Sequence, residues 1–210
     1  EKPLITLTGS IVPEKDTALT FEVLKFYAKG VNDFSFAKTS TGSVLNLKNC
    51  DVECSGYYCV NINAHGITLN VEGGNYSSNY SVINFDSAMP KTDAGATMTE
   101  TANVNSQYAV ISNNNGKSNV EIHIDNSTLN ALAPQASADS LYGSCIKIGG
   151  IPDESNVTAN NVLTVKNSTL NSNAQYGIYV ERTAKTDITI EDSILNLNSS
   201  IAGGACIKAD

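Results

Sequence analysis

Basic side chains are scarce in this sequence: 13 Lys and Arg stand against 21 Asp and Glu, the formal net charge is −8, and Arg182 is the one arginine. Phosphate backbones are held by clustered Lys and Arg, so this balance excludes a nucleic acid as partner. No run of about 18 apolar residues is available to cross a bilayer as a helix, and Glu1, Lys2 and Pro3 do not resemble a signal peptide. The five cysteines, Cys50, Cys54, Cys59, Cys145 and Cys206, are odd in number and contain no C-x-x-C pair. Neither a zinc site nor a closed disulfide framework is therefore indicated. The spacing of Cys50, Cys54 and Cys59 permits a local bridge, while buried free thiols are the plainer expectation.

What is present points elsewhere. The 210 residues are 41% apolar, enough for one sizeable core. Asparagine occurs 25 times, with many Ser and Thr beside it, a usage that favours turns and strand ends over helices. Such a composition suits a solenoid or an exported surface protein.

Six segments share one template: aliphatic, any, aliphatic, any, Asn/Asp/Gly, Ser/Cys/Gly, any, then Leu/Val/Tyr. They are ITLTGSIV from Ile5, LNLKNCDV from Leu45, LNVEGGNY from Leu69, IHIDNSTL from Ile122, LTVKNSTL from Leu163 and ITIEDSIL from Ile188, with a degenerate seventh, TMTETANV, from Thr97. Each opens on the period-two alternation of a strand with one buried face and then reaches a residue that tolerates a bend. A second strand signal follows most copies, in YYCVNI, YSVINF, YAVIS, YGSCIKI, YGIYV and GACIKA. Units of roughly 24 residues with two or three short strands and no helical period describe coils that bury their apolar face only against a neighbouring coil.

On the N-S-T-L turns and the YGIYV strand, the sequence from about Gly42 to Asp210 resembles the right-handed parallel β-helix superfamily, the pectate-lyase-like fold. The expected fold is all-β: a right-handed parallel β-helix, a single-stranded solenoid of about 6–7 coils, spanning residues 42–210. Residues 1–41 are expected to form an N-terminal cap or an atypical first coil, because a terminal coil needs a cover. The strand ACIKA runs directly to Asp210, which suggests a continuation or a partner chain at that end. Stacking would place Leu45, Leu69, Ile122, Leu163 and Ile188 in one inward column and Leu47, Val71, Ile124, Val165 and Ile190 in another. Ile62, Phe85, Ile148 and Val180 would line the second sheet. Asn49, Asn126, Asn167 and Asp192 would stack at the bend, each bonding its equivalent in the next coil.

The resemblance also brings polysaccharide lyases and glycoside hydrolases into view. A lyase of this kind would need calcium held by clustered carboxylates beside a basic residue, and the nearest match is the group Glu181, Arg182, Lys185 and Asp187. No Asp-Asp pair of the hydrolase type occurs, and His65 and His123 read as a turn residue and a solvent-facing strand residue. No catalytic residue or resident cofactor is assigned, calcium entering only with the lyase reading. The sheet column Asn61, Asn84, Ser112, Lys147, Tyr179 and Lys208 is the candidate ligand-binding face, since amides, ammonium groups and an aromatic ring hydrogen-bond and stack on sugars. Sequons at Asn75, Asn79, Asn126, Asn156, Asn167 and Asn198 read as turn chemistry. The sequence is thus expected to be a secreted or cell-surface module, bacterial and non-catalytic, acting in adhesion or glycan binding, with a glycan or surface protein as ligand. A lyase or hydrolase, active or degenerate, is the alternative, and a trimeric fibre segment a third.

Overall fold

The computed structural model describes residues 1–86, 93–114, 119–132, 144–149, 160–181 and 185–209. Among them every strand pairing is parallel, and the chain winds as a β-helix whose coils have three arms. The first arm stacks β2 (Ala18–Glu22), the first part of β5 (Val44–Cys54), the first part of β7 (Thr68–Ser78), β9 (Asp93–Thr99), β12 (Asn119–Asp125), β15 (Asn160–Lys166) and β18 (Lys185–Glu191). The second arm stacks β1 (Leu4–Leu7), β3 (Lys25–Ala28), the remainders of β5 and β7, β10 (Asn103–Ser106), β13 (Thr128–Ala131), β16 (Thr169–Ser172) and β19 (Ile194–Leu197). Because β5 and β7 run unbroken round the bend, these two arms form one 13-stranded sheet. The third arm is a 7-stranded sheet of β4 (Phe34–Phe36), β6 (Tyr58–Ile62), β8 (Ser81–Phe85), β11 (Ile111–Asn113), β14 (Ser144–Ile148), β17 (Tyr176–Val180) and β20 (Ala205–Ala209). No helix among the described residues is long and apolar enough to cross a membrane.

The bend between the first two arms explains the repeated N-S. Asn49, Asn126, Asn167 and Asp192 take φ of 46°, 46°, 49° and 47°, the left-handed region that Asn and Asp enter at least cost among residues with a side chain. Gly73 supplies the same angle, φ 66°, and its neighbour Gly74 has no room for a side chain, since a Cβ would lie 1.9 Å from the Cys50 carbonyl oxygen. The stacked corners are joined by backbone bonds, Asn126 N donating to Lys166 O and Asn167 N to Glu191 O, each at 3.1 Å. The serines add a second column: Ser168 N donates to Ser193 Oγ and Ser127 N to Ser168 Oγ, both at 3.1 Å.

Three expectations about the bend are corrected. The side chain of Asn167 does not bond its equivalent Asn126; its Nδ2 donates to Asp125 Oδ1 at 2.9 Å, because the carboxylate one step before the corner is the stronger acceptor. The segment from Ile5 is no copy of the template, since β1 pairs with β3 and so belongs after the bend. The first corner is instead LTFEVLKF, with Val23 at φ 55°. The degenerate copy begins at Ala96, which pairs with Leu69 and Ile122. Its corner carries one residue more, Glu100 and Thr101 both adopting positive φ (59° and 64°), a bulge that shifted the apparent register by one.

Inside, the stacking columns are those the alternation predicts: Leu45, Leu69, Ile122 and Leu163 are wholly buried, as are Leu47, Val71, Ile124 and Val165, with Ala96 and Met98 filling the intervening coil. At about 1.5–3 kcal/mol for each large apolar side chain removed from water, these columns are the main source of stability. In the third arm Phe85 is followed in register by Asn113, not by an apolar residue. Asn113 is buried and its Nδ2 lies 3.4 Å from Oδ1 of the buried Asn161, which also accepts from Val120 N at 3.2 Å. All five cysteines are free thiols, four of them buried, and no bridge joins Cys50, Cys54 and Cys59.

Candidate ligand-binding surface

On the outer side of the 7-stranded sheet, Asn61 pairs with Asn84, Asn84 with Ser112, Ser112 with Lys147, Lys147 with Tyr179 and Tyr179 with Lys208. The candidate residues thus share one column. Its centre is not open: Asn84 and Ser112 are 2% exposed and Lys147 5%, while Asn61, Tyr179 and Lys208 are half-buried.

The polar atoms at the centre are engaged with one another. Lys147 Nζ donates to Asn114 Oδ1 (3.0 Å), Asn114 Nδ2 to Asn84 Oδ1 (2.7 Å), Asn84 Nδ2 to Asn61 Oδ1 (2.6 Å) and Asn61 Nδ2 to Asp86 Oδ2 (3.4 Å). An ammonium can only donate and a carboxylate only accept. All three amides between them therefore point the same way, and the chain of bonds satisfies a buried charge that would otherwise be costly. A second amide ladder runs outside the second arm, Asn196 to Asn171 to Asn130 to Asn105, with Nδ2 to Oδ1 distances of 2.8, 2.7 and 2.9 Å. Asn130, Asn171 and Asn196 each stand three residues after a corner serine, as in NSTLN, and each bonds the Asn of the coil before it.

The four residues assigned to the enzyme alternative are divided by the fold. Glu181 follows β17 and is buried, whereas Lys185 and Asp187 lie exposed on β18, in the other sheet. Arg182 lies outside the described residues. His65 is exposed, its carbonyl accepting from Gly42 N at 2.9 Å, and His123 is half-buried with Nε2 3.6 Å from Glu121 Oε2. Among the described residues no group of three or more His, Cys, Asp or Glu converges as a metal would need.

A feature that sequence reasoning passed over lies where the second arm turns into the third. Tyr57, Tyr58, Tyr80 and Tyr108 come from three successive coils and touch in series. Ring centroids are 6.3 Å apart for Tyr57 and Tyr80, 5.6 Å for Tyr58 and Tyr80 and 4.7 Å for Tyr80 and Tyr108. Tyr57 is 63% exposed and Tyr108 39%. The serine before each turn fixes its path: Ser78 Oγ donates to Tyr57 O at 2.9 Å and accepts from Tyr80 N at 3.1 Å, and Ser106 Oγ donates to Tyr80 O and accepts from Tyr108 N. Further along the stack Tyr176 and Tyr179 lie face to face, centroids 5.4 Å apart with an interplanar angle of 17°. The signal was in the sequence, since five of the six second-strand segments open on Tyr.

Fold and surface together define a parallel β-helix solenoid with an aromatic ridge along one edge. Compared with known proteins, the chain matches no family model, no curated protein and no solved structure.

Proposed function

We propose that this chain is a non-catalytic module of a secreted or cell-surface protein and that it binds carbohydrate along the side of the solenoid. The tyrosine ridge carries this reading. Aromatic rings in contact over three coils, Tyr57 and Tyr108 exposed and Tyr58 and Tyr80 half-buried between them, form an apolar strip with hydroxyl tips, a surface that water disfavours and that the CH faces and hydroxyls of a sugar chain complement. A rigid stack of coils holds the rings in place before binding, so little conformational freedom is lost when an extended ligand lies on them. Tyr179 and Lys208, half-buried at the far end of the neighbouring sheet, extend the same side with a ring and an ammonium group.

The test is a glycan array followed by affinity measurement on the polymers retained. Wild-type protein is expected to retain at least one polymeric glycan, and Tyr57→Ala and Tyr80→Ala each to weaken that binding about tenfold or more, about 1.4 kcal/mol. An array on which nothing is retained, or release of unsaturated sugars from a polysaccharide with or without calcium, would overturn the reading in favour of another partner or of the enzyme alternative.

A further inference from the structure

We propose that a recess on the outer face of the first arm is a second, separate binding site, sized for one neutral sugar ring. The recess encloses about 350 Å³ and is lined chiefly by Thr68, Gly95, Thr97, Asn119, Glu121 and His123. It arises from a missing side chain. Thr68, Gly95 and Glu121 are register partners on adjacent strands, so at Gly95 the row of outward side chains is interrupted and the sheet itself becomes the floor. Gly95 has no left-handed backbone angle to require glycine; a Cβ there would meet the Glu121 carbonyl oxygen at 3.2 Å and fill part of the notch.

The rim carries complementary hydrogen-bonding groups. Glu121 and His123 are two apart on β12 and face outward together, Oε2 and Nε2 3.6 Å apart, with the carboxylate side chain 65% exposed and the imidazole 43%. That separation exceeds a hydrogen bond of about 2.7–3.2 Å, so the pair leaves its capacity unspent between themselves. One ligand hydroxyl placed against both donates to the carboxylate and accepts from the ring N–H. The Thr97 hydroxyl, paired in register with His123, and the Thr68 hydroxyl border the same space. Asn119 is held in place by Asn160 N, which donates to its Oδ1 at 2.8 Å.

Volume and charge narrow the ligand. Small-molecule sites begin at roughly 300 Å³, which suits a single ring better than a chain. No lysine or arginine is among the described lining residues, and Glu121 stands on the rim of a chain of net charge −8. A uronate is therefore repelled and a neutral ring accepted. The site rests on the carbohydrate reading for the class of its ligand, and on the recess for everything else.

The test is an amide chemical-shift titration of the ¹⁵N-labelled chain with methyl glucoside, methyl galactoside and N-acetylglucosamine, against galacturonate as the anionic counterpart. At least one neutral sugar is expected to move the Gly95, Glu121 and His123 amides, with galacturonate tenfold weaker or more. Glu121→Gln and His123→Ala, both on the outer face of β12, are expected to weaken the effect at least tenfold with the rest of the spectrum unchanged. Tyr80→Ala is expected to leave it intact. Silence of the Gly95 amide toward all three neutral sugars, equal response to galacturonate, or indifference to His123→Ala would overturn the site. If the glycan array meanwhile retains a polymer through the tyrosines, only the recess is lost; if the array is silent as well, the carbohydrate reading falls with it.

Discussion

In the first coil Phe21, Phe26 and Phe34 pack ring against ring, with centroids 5.2 to 5.7 Å apart, and Phe26 and Phe34 are fully buried. In the last coil the matching inward residues are aliphatic and incompletely covered: Ile188, Ile190 and Leu195 are half-buried and Ile207 is 44% exposed. Both coils follow one path, so the difference lies in what covers them. A coil buries its inward residues only when something lies on each side. At the first coil β1 pairs onto β3 and Ile11 bridges to Phe34, while bulky rings span the cross-section. Among the described residues the last coil pairs with β15, β16 and β17 alone. Unequal cover thus gives unequal burial.

Removing the largest plug tests this first. Phe34→Ala is expected to cost about 3–5 kcal/mol in urea unfolding, and Ile207→Ala, at a half-open position, well under half of that. Equal costs would mean that the rings add nothing beyond the strand pairing.

A second contrast is electrostatic. Asp33 is fully buried in the first coil, and neither carboxyl oxygen meets a hydrogen-bond donor by geometry among the described residues. Loss of solvation pushes its pKa from the ordinary 3.8 up to about 7, with Glu53 adding to the effect and the Cys54 thiol opposing it. The folded state then keeps a proton that the unfolded chain releases near pH 4. Stability is therefore expected to fall as pH rises from about 4 to about 7, by up to about 4 kcal/mol, and to change no further from this group above that. Asp33→Asn should flatten the curve over this window; an unchanged slope in the variant would assign the pH dependence to another group.

The smallest expected effect concerns the corners. Val23 holds at the first corner the left-handed angle that Asn167 holds at a later one, and a β-branched residue pays more for it. Val23→Asn should raise stability by about 1 kcal/mol and Asn167→Val lower it by about 1–2 kcal/mol, read as shifts in the urea midpoint. Opposite signs at the two corners are the outcome that matters.

Where the repeat keeps its own rules, the sequence was enough. Alternation before N-S identified the inward columns, and the small residue after it located the bends. Val23 hid the first corner because it supplies the angle without the residue type that advertises it. The extra residue at Glu100 and Thr101 displaced the seventh copy by one. Asn113 escaped notice since an inward polar residue is intelligible only beside Asn161, 48 positions away. For the surface, the column from Asn61 to Lys208 was legible as a column, but its burial and internal bonding depend on neighbours that no spacing reveals. The recess at Gly95 is a missing side chain, visible only once β9 is set against β7 and β12.

The bond chain from Lys147 to Asp86 resembles a short polymer with two end groups. Its ammonium end starts the amides in one orientation and its carboxylate end stops them, and neither can be continued past. The ladder from Asn105 to Asn196 has no such ends among its four members, only identical amides. Duplicating an asparagine-bearing coil within that second ladder would lengthen it without contradiction. A coil added or lost between Asp86 and Lys147 must bring or remove a matching amide, or break the run of bonds. The coils look interchangeable, yet at this point on the solenoid their number is counted.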